Sequence, residues 1–232
     1  MDTVIPETRE ALRTPRAAAI AGIIFSVLLT FSLLIIRLAV SASSRDVGTW
    51  LSDPVHKNAV VFALNLIPFA GIAFLWFIGV VRDRMGEHED RFFATVFLGS
   101  GLLFVAMLFA SAAVGGVLAA TASSGIVGPT VTAVWQFGRQ VTYNLLTIYA
   151  MRMAGVFMIA TATITLRTAI MPRWLALLGY LFALVLLLTV GFTPWIEFLL
   201  PIWVLMVSLY ILRASLSERP EPAPKLSAGT DA

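Results

Sequence analysis

The stretch "VVRDRMGEHEDRFF", residues 80–93, decides how the rest of the chain is read. Its ten central positions, 82–91, hold eight ionisable side chains: Arg82, Asp83, Arg84, Glu87, His88, Glu89, Asp90 and Arg91. On each side lies an apolar run of roughly 20 residues, enough to cross about 30 Å of hydrocarbon as a helix. The charges are sorted by sign. Arg82 and Arg84 close the first run, where a helix C-terminus favours cations. Glu87, Glu89 and Asp90 open the second, where an N-terminus favours anions. Gly86 stands between them, where a left-handed residue commonly ends a helix, and Glu87 and Arg91 have the i, i+4 order that supports one. The run therefore reads as the turn of a helical hairpin. A metal site is the competing reading. It fails on ligand count, since His88 has no second histidine near it and zinc sites want three or four converging ligands.

Composition extends this reading to the whole chain. The 232 residues are 59% hydrophobic and 12% charged, with mean hydropathy +0.91. Soluble domains carry about 25% charged residues, so too little polar surface is present to coat a water-soluble globule. There are no cysteines, which excludes disulfides, thiolate metal sites and cysteine nucleophiles. A net charge of +3 would ordinarily raise the question of nucleic acid. In a membrane protein, basic residues mark the cytoplasmic side instead, and no nucleic-acid partner is expected.

The hydropathy pattern predicts an all-α, polytopic membrane helix bundle of six transmembrane helices. The spans fall at about 17–40, 58–81, 92–119, 141–166, 174–192 and 195–212. The first run is too long for the h-region of a cleaved signal and reads as a true span. Pro15, Pro54, Pro129, Pro172 and Pro194 lie ahead of helices, where the missing N–H costs nothing. Pro129 precedes its span by a dozen residues, so 129–138 reads as a short interfacial helix. Eleven basic residues fall on one side of this layout: Arg9, Arg13, Arg16, Arg82, Arg84, Arg91, Arg167, Arg173, Arg213, Arg219 and Lys225. Arg45, Lys57 and Arg139 fall on or near the other. Both termini are therefore expected in the cytoplasm, and the protein in the plasma (inner) membrane. From Ala214 the chain turns rich in Pro, Ser and charge, and 214–232 reads as a disordered cytoplasmic tail.

Five polar side chains resist explanation as turns. Arg152 lies near the middle of span four, where an arginine costs about 2.5–3.5 kcal/mol on insertion scales. Asn65 falls within span two, close to Pro68. Arg37, Arg139 and Glu197 lie toward the outer ends of spans one, four and six. At about 1.5 Å per residue, Asn65 and the tip of Arg152 reach similar depths, and Arg37 leans toward the same layer. Intramembrane ionisable groups are functional candidates by default. One reading satisfies each group separately, by snorkelling or by bonds to nearby carbonyls. The sharper one gathers Arg37, Asn65, Arg139, Arg152 and Glu197 around an outward-facing polar cavity for an anionic ligand. Ser111, Gly115 and Ala119 repeat every four residues, a spacing that lets helices approach closely. No phosphate loop, Ser/His/Asp set or HExxH is present, so no catalytic residue, cofactor or metal is expected.

Two stretches carry a family likeness: "RAAAIAG" from Arg16 to Gly22 and "PRWLALLG" from Pro172 to Gly179. With the layout of the spans, the chain resembles an uncharacterised family of small bacterial, actinobacterial-type integral membrane proteins. That resemblance implies a six-helix membrane fold and no activity. Two functions follow as expectations. The first is binding or transport of an anionic or amphipathic small molecule or lipid. The second is a structural or accessory membrane subunit acting through helix–helix contacts, with no ligand. Membrane lipids are expected partners in either case, and a homo-oligomer is compatible with both.

Overall fold

The computed structural model describes residues 14–41, 54–85, 91–123, 128–168, 171–189 and 195–217. Helix α1 spans Thr14–Ser41, α2 Pro54–Met85, α3 Arg91–Ser123 and α4 Pro129–Tyr143. A six-residue π-helical turn, Asn144–Tyr149, joins α4 directly to α5, Ala150–Thr168. Helix α6 is Arg173–Thr189, and a 3₁₀ turn, Ile196–Phe198, leads into α7, Leu199–Ser217. Every element among the described residues is helical. Five helical stretches are long and apolar enough to cross a membrane, and Arg173–Thr189 is a shorter apolar helix of 17 residues. Pro54 and Pro129 stand at the first position of their helices and Pro15 at the second.

Three boundaries differ from the sequence reading. Residues 129–138 are not a separate interfacial helix. Pro129–Thr168 is one continuous rod of 40 residues, about 60 Å long at 1.5 Å per residue, twice the hydrocarbon thickness. The π turn absorbs an extra residue without breaking the rod, a device the hydropathy pattern does not register. Second, α7 continues to Ser217, past the expected start of the tail at Ala214. Arg16 donates from Nη2 to the Ser215 carbonyl at 3.4 Å, tying the last turn of α7 to the first of α1. Third, α2 ends at Met85 and α3 begins at Arg91. Arg82, Asp83 and Arg84 of the charged run thus lie in the last turn of α2, and residues 86–90, with Glu87, His88, Glu89 and Asp90, lie outside the described residues.

The helices form a ring. α1 packs between α2 and α7, α3 between α2 and the α4–α5 rod, and α6 against α5. Lipid tails are as apolar as leucine, so this ring is held by close packing rather than by exclusion from water. Where α1 crosses α2 and α7, Gly22 makes the approach. A Cβ there would collide with Ser208 Oγ and come within 2.8 Å of Phe77. α6 and α7 are joined by Trp203, buried against Gly179, whose indole N–H donates to the Leu175 carbonyl at 3.1 Å. This accounts for a tryptophan in mid-span, away from either interface.

At mid-height the ring is plugged by phenylalanines. Phe25, Phe74, Phe104, Phe157 and Phe97 are fully buried. Ring centroids lie 4.5 Å apart for Phe25–Phe74, 5.0 Å for Phe74–Phe104 and Phe74–Phe157, and 4.9 Å for Phe97–Phe157. Such tilted, edge-on and stacked pairs contribute about 0.5–1.5 kcal/mol each beyond their burial. Supplied by α1, α2, α3 and α5, the cluster separates the half of the bundle holding Arg37 from the half holding Arg16.

Candidate functional site

Above the phenylalanine plug, at the Arg37 end, lies a cavity of about 460 Å³. Its walls come from α1, α2, α3, α4, the π turn and the 3₁₀ turn. That volume falls in the range of small-molecule sites, about 300–1,000 Å³. Leu33, Leu64, Leu118 and Leu146 are among its apolar walls. Arg37, Arg139, Gln140, Tyr143 and Glu197 supply the polar groups.

Arg37 is placed by α1. Helical side chains lean toward their own N-terminus, which for α1 is into the bundle. Its Nη2 donates to Glu197 Oε1 at 2.7 Å. This is the ion pair found among the described residues, joining side chains 24% and 7% exposed. Glu197 sits in the 3₁₀ turn before α7. The turn is entered through Trp195 at φ 78°, a left-handed conformation for a residue with a Cβ. Such a conformation costs on the order of 1 kcal/mol. It is held by the Trp195 ring, which stacks on Phe198 at 5.6 Å and lies 6.0 Å from the Arg37 guanidinium. Strain of this kind persists where surrounding contacts over-determine it, and here it turns the carboxylate into the cavity wall. Glu197 Oε2 is buried with no hydrogen-bond partner among the described residues.

Arg139 stands on the opposite wall. Its guanidinium lies 5.6 Å from the ring of Trp135, one turn earlier on α4. Most nearby polar groups on that wall are already engaged. Gln140 donates to Asn144 Oδ1 at 3.0 Å, Thr142 to the Gly138 carbonyl at 2.9 Å, and Thr147 to the Tyr143 carbonyl at 2.8 Å. Ser111 donates across from α3 to the Thr142 carbonyl at 3.1 Å. Gly115 lies against Leu64 and Thr142, and Ala119 lines the cavity. The small-residue ladder of α3 is thus used inside this chain.

The five candidate residues divide. Arg37, Arg139 and Glu197 converge on the cavity. Asn65 and Arg152 do not line it, and both are exposed. On α2 the buried positions include Leu64, Ile67, Gly71 and Phe74, while Asn65 shares the outer stripe with Phe62, Phe69, Ile72 and Trp76. Gly155 on α5 faces Ala183 and Leu187 of α6. Arg152, one turn nearer the Arg37 end, is therefore level with the last turn of α6. The sequence related these residues by depth along the axis, and depth does not say which way a side chain faces. Trp135, Tyr143 and the π turn were not singled out from the sequence. The one available signal was the i, i+4 pairing of Trp135 with Arg139.

No grouping of three or more His, Asp or Glu suited to a metal occurs among the described residues. The cavity brings charge, aromatic faces and apolar walls together. Comparison with protein-family models, with curated proteins and with solved structures finds no match to this chain.

Proposed function

We propose that this chain is a six-span protein of the plasma membrane, both termini cytoplasmic, that binds an anionic or amphipathic small molecule or lipid in the cavity at its Arg37 end. The observation that carries this reading is the meeting of two cations and one anion, Arg37 and Arg139 against Glu197, with apolar walls in one cavity. An amphipath has the matching order of parts, a charged head and an apolar tail. The phenylalanine cluster below supports binding at one face rather than passage, since transport would require those rings to part.

A dansyl-labelled undecanoic acid, titrated into purified protein in maltoside micelles, tests the site. Saturable fluorescence enhancement is expected, reduced by Arg139→Gln and abolished by Ala119→Phe, which fills the cavity from α3. Binding that survives Ala119→Phe would refute the cavity as its location. Reporter fusions after Ser217 and within 124–127 check the topology, and the same side for both would sink the six-span layout. The accessory-subunit reading draws on a separate observation. Arg152 is exposed on the outer face of α5 without an ion pair among the described residues, a feature that a neighbouring membrane helix carrying an acid would satisfy.

A further inference from the structure

At the end of the bundle opposite the cavity, arginines of adjacent helices stand at one level. Gly22 of α1 meets Phe77 of α2 and Ser208 of α7. Arg16, Arg82 and Arg213 lie six, five and five residues from these, all toward the same end. At about 1.5 Å per residue, each Cα is roughly 8–9 Å beyond that crossing. All three arginines are exposed, and none makes an ion pair among the described residues. Arg16 and Arg213 are the closer set, because Arg16 Nη2 reaches the Ser215 carbonyl, two residues past Arg213. That bond uses one of the five guanidinium donors and neutralises neither charge.

Apolar stripes lead to this pair on both helices. Ile20, Ile24 and Val27 follow Arg16 at helical spacing on the exposed face of α1, and Ile202 and Leu209 precede Arg213 on that of α7. Arg37 reaches Glu197 and Arg16 reaches Ser215, so α7 flanks this side of α1 at both ends. We infer that the α1–α7 seam binds an anionic glycerophospholipid, its phosphate between Arg16 and Arg213 and its acyl chains along the two stripes. The stripes alone would accept any acyl chain. Charge complementarity selects the head. Two cations without an acid suit a head of net negative charge, as basic residues at a membrane edge attract anionic lipid. The ammonium of a zwitterionic head would add a third cation beside them. A free phosphate would use the guanidinium groups and leave the stripes unused. The phenylalanine plug separates this seam from the cavity, so the inference does not depend on the cavity holding a ligand.

Dioleoylphosphatidylglycerol and dioleoylphosphatidylcholine share chains and phosphate and differ in net charge. Their binding to the purified full chain in maltoside micelles is read by native mass spectrometry. The glycerol lipid is expected to bind on the order of tenfold more tightly, the combined effect of two basic residues. Arg16→Gln/Arg213→Gln should bring the two lipids within about twofold of each other. Should that variant fold poorly for want of the Ser215 contact, Arg213→Gln alone decides, since it breaks no ion pair among the described residues. It must still reduce the preference, to about threefold. Arg167→Gln removes one charge from the same end, but over Phe93 of α3, across the ring. The preference should survive it. A loss equal to that of Arg213→Gln would mean diffuse attraction by surface charge and would overturn the seam as the site. Equal binding of the two lipids to the wild type would overturn the inference outright. In an Ala119→Phe background, with the cavity filled, the preference is expected to persist, and its disappearance would place the lipid in the cavity instead. Soluble glycerol phosphate at the same concentration should not displace the lipid. Displacement would overturn a lipid occupant and point to a free phosphate ester.

Discussion

Arg37 and Glu197 make an unequal pair, and removing either one should show it. The contact is 2.7 Å long, but the side chains are 24% and 7% exposed. In Arg37→Met the carboxylate remains in the cavity wall with neither oxygen partnered, and breaking a buried pair this way costs about 3 kcal/mol or more. In Glu197→Leu the arginine remains, but it stands about one turn from the end of α1 and is partly exposed. It can turn toward the polar boundary, so the cost falls to about 1 kcal/mol, near that of one lost hydrogen bond. In Arg37→Met/Glu197→Leu no charge is left, and apolar groups of similar volume replace the pair. Such replacements are often neutral or stabilising, so the double variant should lie within about 1 kcal/mol of the parent. The implied coupling is on the order of 3 kcal/mol. Unfolding in mixed micelles of increasing dodecyl sulfate fraction, followed by tryptophan fluorescence, gives all four free energies. Equal costs for the two single variants, or a double variant equal to their sum, would refute the picture of a buried acid held by a half-exposed base.

The remaining expectations concern packing and placement. Gly22→Ala drives a methyl into Ser208 and Phe77 and should destabilise by about 1–3 kcal/mol in the same unfolding assay. Gly79→Ala meets nothing within 4 Å and should be neutral or stabilise by up to about 1 kcal/mol through helix propensity. A ranking in the other direction would contradict the α1–α2–α7 packing. Arg152→Leu should improve membrane insertion by up to about 3 kcal/mol while dansyl-acid binding stays unchanged, since Arg152 is outside the cavity. Loss of that binding would place Arg152 in the site.

The existence, order and approximate ends of the apolar helices were legible in the sequence, because a membrane demands some 20 apolar residues per crossing and tolerates polar turns only outside. The same pattern supplied depth along each helix, so Arg37, Arg139 and Glu197 could be placed near one end before any contact was known. Azimuth was hidden for a physical reason. In water the face of a helix is readable because its exposed side is polar, whereas here the outer stripe of α2, with Phe62, Phe69, Ile72 and Trp76, is as apolar as the buried one. Asn65 and Arg152 therefore looked equivalent to Arg37 and Glu197 until neighbouring helices were in place. The π turn at Asn144–Tyr149 and the left-handed backbone at Trp195 carry no hydropathy signature. Only the packing of α1, α3 and the 3₁₀ turn around them determined that Glu197 turns inward, where its partner is Arg37 and its second oxygen stays buried without one.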